Sequence, residues 1–424
     1  MIQLSPLPLS FPTYFDFAQA IYNTGILSDP WIDGRERFSL QGVILPQNQA
    51  DALEEAAERV AYLHQELVEI LLNRPTLMSD FYELTPFQQA MWESSGGLWH
   101  GIARADLFVL PDGHIQCCEL NSDTPSGEPE AVLLNQLLHA AHGAVIDPNA
   151  RLEASFLRML RESHAKRTDQ PLSSVAIIYP TELTEDLSMI LLYTRWLQAA
   201  GINVVTGSPF NLRRTRRGIE VLGHPVDLII RHYKTDWWGE RDPVWADAED
   251  FPDPEPLFEP LGMLISAEMA GEVTLVNPLG SVITQNKLSL AFFWEYRSLF
   301  SEMAQTWIRT YLPETHRLSY FSIDRLRKEQ SQWVLKSDYG CEGAETICGP
   351  FVSPETWQRS LDLAIPQHFV AQRFFEAQPD DQGRIPNYGV YLIGGSASGY
   401  FTRLSSQSTE YSALTVPTFL SPEE

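Results

Sequence analysis

The spacing of apolar and polar positions along this chain changes several times, and each change marks an element. Residues 47–74, QNQADALEEAAERVAYLHQELVEILLNR, repeat apolar side chains at helical spacing, which predicts an amphipathic helix with one face on a core. Further on, GIARADLFVLPDGHIQCCELNSD holds two strand-forming runs broken at Asp112-Gly113. That pair accepts the positive φ of a tight turn, so the segment reads as a hairpin with a two-residue turn. GEPEAVLLNQLLHAAHG opens on a proline and acidic residues and closes at Gly143, which predicts a helix, with another over about residues 150–166. From Ser173 the rhythm becomes SSVAIIYP, a helix to Ala200, GINVV, RGIEVLG and HPVDLIIRHY, the alternation of a small α/β layer. Residues 240–260 are acidic and proline-rich, as a surface connection would be. A helix starts near Gln285, and WVLKSDYG, ETICGPFV, HFVAQRFFEA and NYGVYLIGG read as strands.

An apolar fraction of 44% with eleven tryptophans requires a folded interior. The 424 residues suit interlocked subdomains of an enzyme better than one small core. Charge narrows the partners. Lys and Arg number 30 against 55 Asp and Glu, for a net charge of −25, which repels phosphate backbones and anionic lipid surfaces. Neither nucleic acid nor a membrane is expected as a partner. The cysteines Cys117, Cys118, Cys341 and Cys348 form no CxxC pair, so reduced thiols and a cytoplasmic location are expected. No glycine fingerprint follows the first strand of the α/β layer, which argues against dinucleotide binding there. His139 and His142 lie one turn apart at a helix C-terminus, where imidazoles also suit the dipole.

The hairpin carries the first candidate chemistry. With a two-residue turn, Asp106 faces Glu119 and Arg104 faces Asn121, and strand alternation puts all four on one face. Two opposed carboxylates repel by roughly 1 kcal/mol at about 4 Å even in water. A divalent cation such as Mg²⁺ would relieve that repulsion with oxygen ligands of this kind. Arg104 alone, neutralising the pair on a surface, would do so equally well. Lys336 ends a strand, and Gly340 and Gly343 bracket the short loop after it. Such glycines let backbone N–H groups approach phosphates, although GxxxxGK[ST] is lacking and a P-loop is excluded. Lys287 falls early in a helix, where a cation opposes the dipole. The strand pattern of HFVAQRFFEA and of NYGVYLIGGSASGYFTRLS, with its late Arg403, suits either a purine slot or plain core.

The order of these pieces is itself informative: IARADLFV with CCELNSDTPSGEPEA, then VNPLGSVITQNKLSLAFFWE, LKSDYGCEGAE, FVAQRFF and GVYLIGGSASGYFTRLS. Over nearly the whole chain it resembles the synthetase part of glutathionylspermidine synthase and its stand-alone relatives. The resemblance implies an α/β (α+β), ATP-grasp-like fold acting as one interlocked catalytic unit. A helical region, residues 1–170, would carry the metal-binding hairpin at about 101–123. A Rossmann-like α/β subdomain would follow at 171–280, and an antiparallel-sheet nucleotide clamp at 281–424. It further implies an ATP-dependent carboxylate–amine ligase working through an acyl-phosphate, with ATP and Mg²⁺ as cofactors. The partners would be a small-molecule or peptide carboxylate and an amine acceptor. In that resemblance Asp106, Glu119 and Asn121 would hold Mg²⁺, and Lys287 and Lys336 would bind ATP phosphates. The loop Gly340 to Ala344, Gly343 included, would cover the triphosphate, and Gln372 would line the adenine slot. Arg104 and Arg403 would be catalytic, meeting the reacting carboxyl and the transferring group. Relatives commonly show Gly-Arg-Glu-Gly in the covering loop, whereas this chain has Gly340-Cys341-Glu342-Gly343. The missing cation motivates an alternative, a catalytically inactive nucleotide-binding sensor or scaffold of the same fold.

Overall fold

A computed structural model describes residues 3–422 apart from 6, 143, 182–185, 217, 241–256, 341–345, 366–367 and 407–412. Helix α1 (Gln47–Leu72) buries Leu53, Val60, Leu67 and Leu71 along one face, as the periodicity predicts. That face packs on the strands that carry the hairpin. Strands β1 (Ile102–Val109) and β2 (Ile115–Asn121) are antiparallel, with Asp106 opposite Glu119 and Arg104 opposite Asn121. The pairing agrees with expectation, but the turn does not. Gly113 N donates to Leu110 O at 2.9 Å and Leu110 N to His114 O at 2.8 Å, so Pro111, Asp112 and Gly113 form a three-residue connection. Pro111 sets the first corner of an ordinary turn, and Gly113, at φ 85°, supplies the left-handed residue that brings the chain back into register. A compensating irregularity lies in β2, where the register steps from Leu107–Cys117 to Asp106–Glu119. Cys118 is the extra residue of a β-bulge.

Helices α2 (Glu128–His142) and α3 (Leu152–Ala165) follow. Next come β3 (Ser174–Ile178), α4 (Leu187–Ala199), β4 (Asn203–Gly207), β5 (Leu228–Arg231) and β6 (Thr274–Val276). The four strands form a parallel sheet in the order β6-β5-β3-β4. Val175, Ala176, Ile177 and Ile178 are all buried, the near-continuous apolar run of a strand covered on both faces. Of the acidic connection expected over 240–260, residues 241–256 lie outside the described residues, and a helix already begins at Phe258.

The short helix α5 (Ser281–Thr284) and the apolar helix α6 (Leu288–Glu295) lead into the last part of the chain. Strands β7 (Thr315–Arg317), β8 (Trp333–Ser337), β9 (Thr346–Cys348) and β10 (Phe369–Arg373) make an antiparallel sheet ordered β7-β10-β8-β9. Strands β11 (Ile385–Ile393), β12 (Ser396–Ser405) and β13 (Leu414–Val416) then return to the hairpin. The resulting sheet runs β13-β12-β11-β1-β2. Residues 385–393 thus pair with residues 102–109, so the end of the chain completes the sheet that carries the acidic hairpin. No described helix is long and apolar enough to cross a membrane.

Candidate functional site

The bulged hairpin and the antiparallel sheet of β7 to β10 face each other across an open cleft of about 1150 Å³. Arg104, Asp106, Glu119, Asn121 and Arg403 line one wall, and Lys336, Gly340 and Gln372 line the other. The structure therefore brings eight of the sequence-expected residues to one place.

Asp106 is 1% exposed. Arg104 grips it from two positions along the same strand face, Nε to Oδ1 at 2.7 Å and Nη2 to Oδ2 at 3.2 Å. Arg403 Nη2 adds a contact to Oδ2 at 3.1 Å, and Asn387 Nδ2 donates to the same oxygen at 3.4 Å. Burial pushes the Asp106 carboxyl up, but the two guanidiniums outweigh it and hold it below its ordinary value. Arg104 also donates Nη1 to Ser126 O at 2.7 Å. Its guanidinium and that of Arg403 both lie over the Phe401 ring, 5.3 and 5.5 Å from its centroid. Gly389, opposite Asp106 on β11, makes this packing possible. A Cβ there would come within 2.7 Å of Arg104 Cδ and 2.8 Å of Phe401 O.

Glu119 is more open, its side chain 28% exposed, with Lys287 Nζ at 3.6 Å. The Asn121 amide nitrogen is buried and meets no hydrogen-bond partner among the described residues. Amide ends exchange by a flip, which would put the Asn121 oxygen at the same position. Mg²⁺ takes one or two carboxylates and leaves its other positions to water and phosphate. Glu119 and Asn121 offer oxygen donors of that kind, whereas Asp106, whose two oxygens are held by Arg104 and Arg403, joins them only by giving up one of those contacts. Among the described residues no group of three or more His, Cys, Asp or Glu gathers for a metal. His139 Nε2 lies 2.9 Å from Val145 O, a local partner, and the side chain of His142 lies outside the described residues.

The bulge determines how the two walls meet. An extra residue breaks the ladder locally, and the Cys118 carbonyl accepts Lys336 Nζ at 3.0 Å and Gln372 Nε2 at 3.3 Å. Burial pushes the Cys118 thiol up to about 12, so the thiol stays protonated and the carbonyl is the functional group. Lys287, just before α6, stands behind the wall: Nζ reaches Gly340 O and Glu119 rather than the open cleft. Cys341, Gly343 and Ala344 of the covering loop lie outside the described residues.

Several residues of the site gave no sequence signal. Asp123, two positions past Asn121, accepts Arg231 Nη2 at 2.5 Å, Ser281 Oγ at 2.8 Å and Thr235 N at 2.7 Å. Arg231 ends β5, and Asn277 just after β6 donates to Ser122 O and Asp123 O at 3.0 and 2.8 Å. The ends of the parallel sheet thereby fix the exit of the hairpin. The only sequence clue was a buried-strand pattern ending in an arginine, HPVDLIIRHY.

Among solved structures, the chain is similar to a glutathione synthetase-like effector (GSS30) from Globodera pallida, at 11% identity, 96% coverage of both chains and a TM-score of 0.59. A gamma-glutamylcysteine synthetase-like protein from Methylobacillus flagellatus KT matches at 14% identity and TM-score 0.46, over 84% of this chain and 86% of that one. D-cycloserine synthetase DcsG matches at 16% identity and TM-score 0.33, over 58% of this chain and 72% of that one. At such identity the first likeness speaks for the fold. No curated protein gives a significant match. Residues 31–421 match the family described as glutathionylspermidine synthase preATP-grasp, a span that holds both walls of the cleft and all three large sheets, and the chain belongs to that family.

Proposed function

We propose that this protein is an ATP-dependent carboxylate–amine ligase, forming an amide through an acyl-phosphate. The observation that carries the reading is the meeting, in one cleft, of the Arg104–Asp106–Arg403 cluster and Glu119 with Lys336 and Gln372. Asp106, Glu119 and Asn121 would hold Mg²⁺, which when bound neutralises charge on phosphate oxygens. Lys336 exchanges the Cys118 carbonyl for a phosphate oxygen, and Gln372 lines the purine end of the cleft. Arg104 and Arg403 orient the substrate carboxylate and stabilise charge on the transferring group.

In the first step a carboxylate oxygen bonds to the terminal phosphorus of ATP while the bridging P–O bond breaks, and ADP leaves with the electron pair. The amine nitrogen then attacks the acyl carbon, the C–O bond to phosphate breaks, and the nitrogen gives up a proton. The walls serve mainly to position the reactants and keep water from the acyl-phosphate. The test is phosphate release from Mg-ATP by purified protein against paired acids and amines, glutathione with spermidine included. Release that needs both, with a product mass equal to acid plus amine minus water, is expected. Cys341 in place of a cation supports a second reading, a nucleotide-binding sensor or scaffold. Tight Mg-ATP binding without turnover on any pair would favour that one.

A further inference from the structure

Gln285 has no part in the roles above, yet it lines the same cleft as Glu119 and Asn121. It caps the C-terminus of α5, two residues before Lys287. Its Oε1 accepts two backbone N–H groups, from Ser122 at 2.8 Å and Asp123 at 3.1 Å, the pair that directly follows Asn121. Only the oxygen end of a carboxamide can accept, so these two donors fix which way the amide points. They also fill the two lone pairs of that oxygen. The Nε2 end is left with both protons, and no acceptor among the described residues meets it.

We propose that Gln285 is a further nucleotide-binding residue. Anchored through Oε1 to the backbone after Asn121, it donates through Nε2 to an anionic oxygen of the polyphosphate. A neutral donor suits this position. It adds no positive charge that would compete with a cation for Glu119, and it is locked to the same backbone that carries Asn121. Gln285 thereby joins Ser281 and Thr284 in tying the hairpin's exit to the segment that carries Lys287. This inference rests on the Mg-ATP reading of the cleft.

The test compares Gln285→Glu with wild type by titration calorimetry, using Mg²⁺-bound AMPPNP and, as a phosphate-free probe, adenosine. Glutamate keeps an oxygen for the two backbone donors but replaces the amide donor with a charged acceptor. Mg-AMPPNP is expected to bind about tenfold or more weakly, with adenosine affinity and the melting temperature of the free protein little changed. Binding of Mg-AMPPNP within about twofold of wild type would overturn the proposal. So would an equal loss for adenosine, which would mark the residue as structural only. Should Gln285→Glu fail to fold, Gln285→Met removes the donor together with the acceptor for Ser122 and Asp123, and the adenosine control separates the two effects: a loss confined to Mg-AMPPNP supports the donor, and equal affinity overturns it. If wild type itself bound no Mg-AMPPNP, the ligase reading would fall first and this inference with it.

Discussion

At the scale of single residues, Asp106 is the group on which most others depend. Its buried carboxyl is shared by the bidentate grip of Arg104 and the single contact of Arg403. Removing one partner of a buried pair costs more than the pair contributes, because the remaining charge stays desolvated. Arg104→Ala is therefore expected to lower stability by about 3 kcal/mol, and also to slow turnover on the order of a hundredfold. Arg403→Ala, which leaves the bidentate grip intact, is expected to lose turnover with the smaller stability cost. Denaturant unfolding of both variants checks this. Equal destabilisation would mean that the two arginines hold Asp106 equally. The facing of Asp106 and Glu119 agrees with the sequence reading only because the bulge at Cys118 offsets the longer turn. Gly389 and Asn387 were not legible, since their roles exist only once a strand from far along the chain lies beside β1.

At the scale of the element, the hairpin shows how a correct pairing can follow from an incorrect turn. Asp112-Gly113 predicts a two-residue turn. The observed connection has three residues, and the bulge at Cys118 restores the offset further along. Bulges have no strong local sequence signature, and nothing in the pair Cys117-Cys118 marks the second as the extra residue. Its consequences are testable. Deleting Cys118 would make the ladder regular, with Glu119 still opposite Asp106 and Asn121 still opposite Arg104, and would remove the out-of-ladder carbonyl that Lys336 and Gln372 share. Loss of Mg-AMPPNP binding is expected, with Lys336 and Gln372 deprived of their acceptor. Cys118→Ser, which keeps the carbonyl and the residue count, is expected to bind nearly as wild type. If the serine variant lost binding as fully as the deletion, the thiol and not the bulge would be the important feature.

At the scale of the whole molecule, the order of elements was readable from periodicity, while the closure of one sheet by residues 102–121 and 385–416 was not. Local pattern says which segments are strands, and pairing across such separations is decided by tertiary packing. The same packing buries charges that sequence would leave on the surface. Glu128 opens α2 at 2% exposure, with Tyr193 Oη 3.1 Å from Oε1, and Glu268 is 4% exposed beside Arg167. Burial pushes each carboxyl up to about 7 from 4.5, against the smaller opposing pull of Tyr193 and Arg104 on the first and of Arg167 on the second. A carboxyl whose folded value is raised favours the fold while it is protonated. That contribution is complete below about pH 4.5 and is lost as pH rises to about 7, by up to about 3 kcal/mol per group. Asp106 acts in the other direction, since its lowered carboxyl supports the fold at higher pH and loses that support as pH falls below the ordinary Asp value. The net charge of −25 adds repulsion on the alkaline side. Thermal melts from pH 4 to 9 should therefore show a maximum on the acidic side of neutrality and a fall through pH 7. Glu128→Gln, neutral at every pH, should raise the melting temperature at pH 8 and flatten that fall. Parallel melting curves for wild type and Glu128→Gln would show that the buried carboxyl is not the source of the pH dependence.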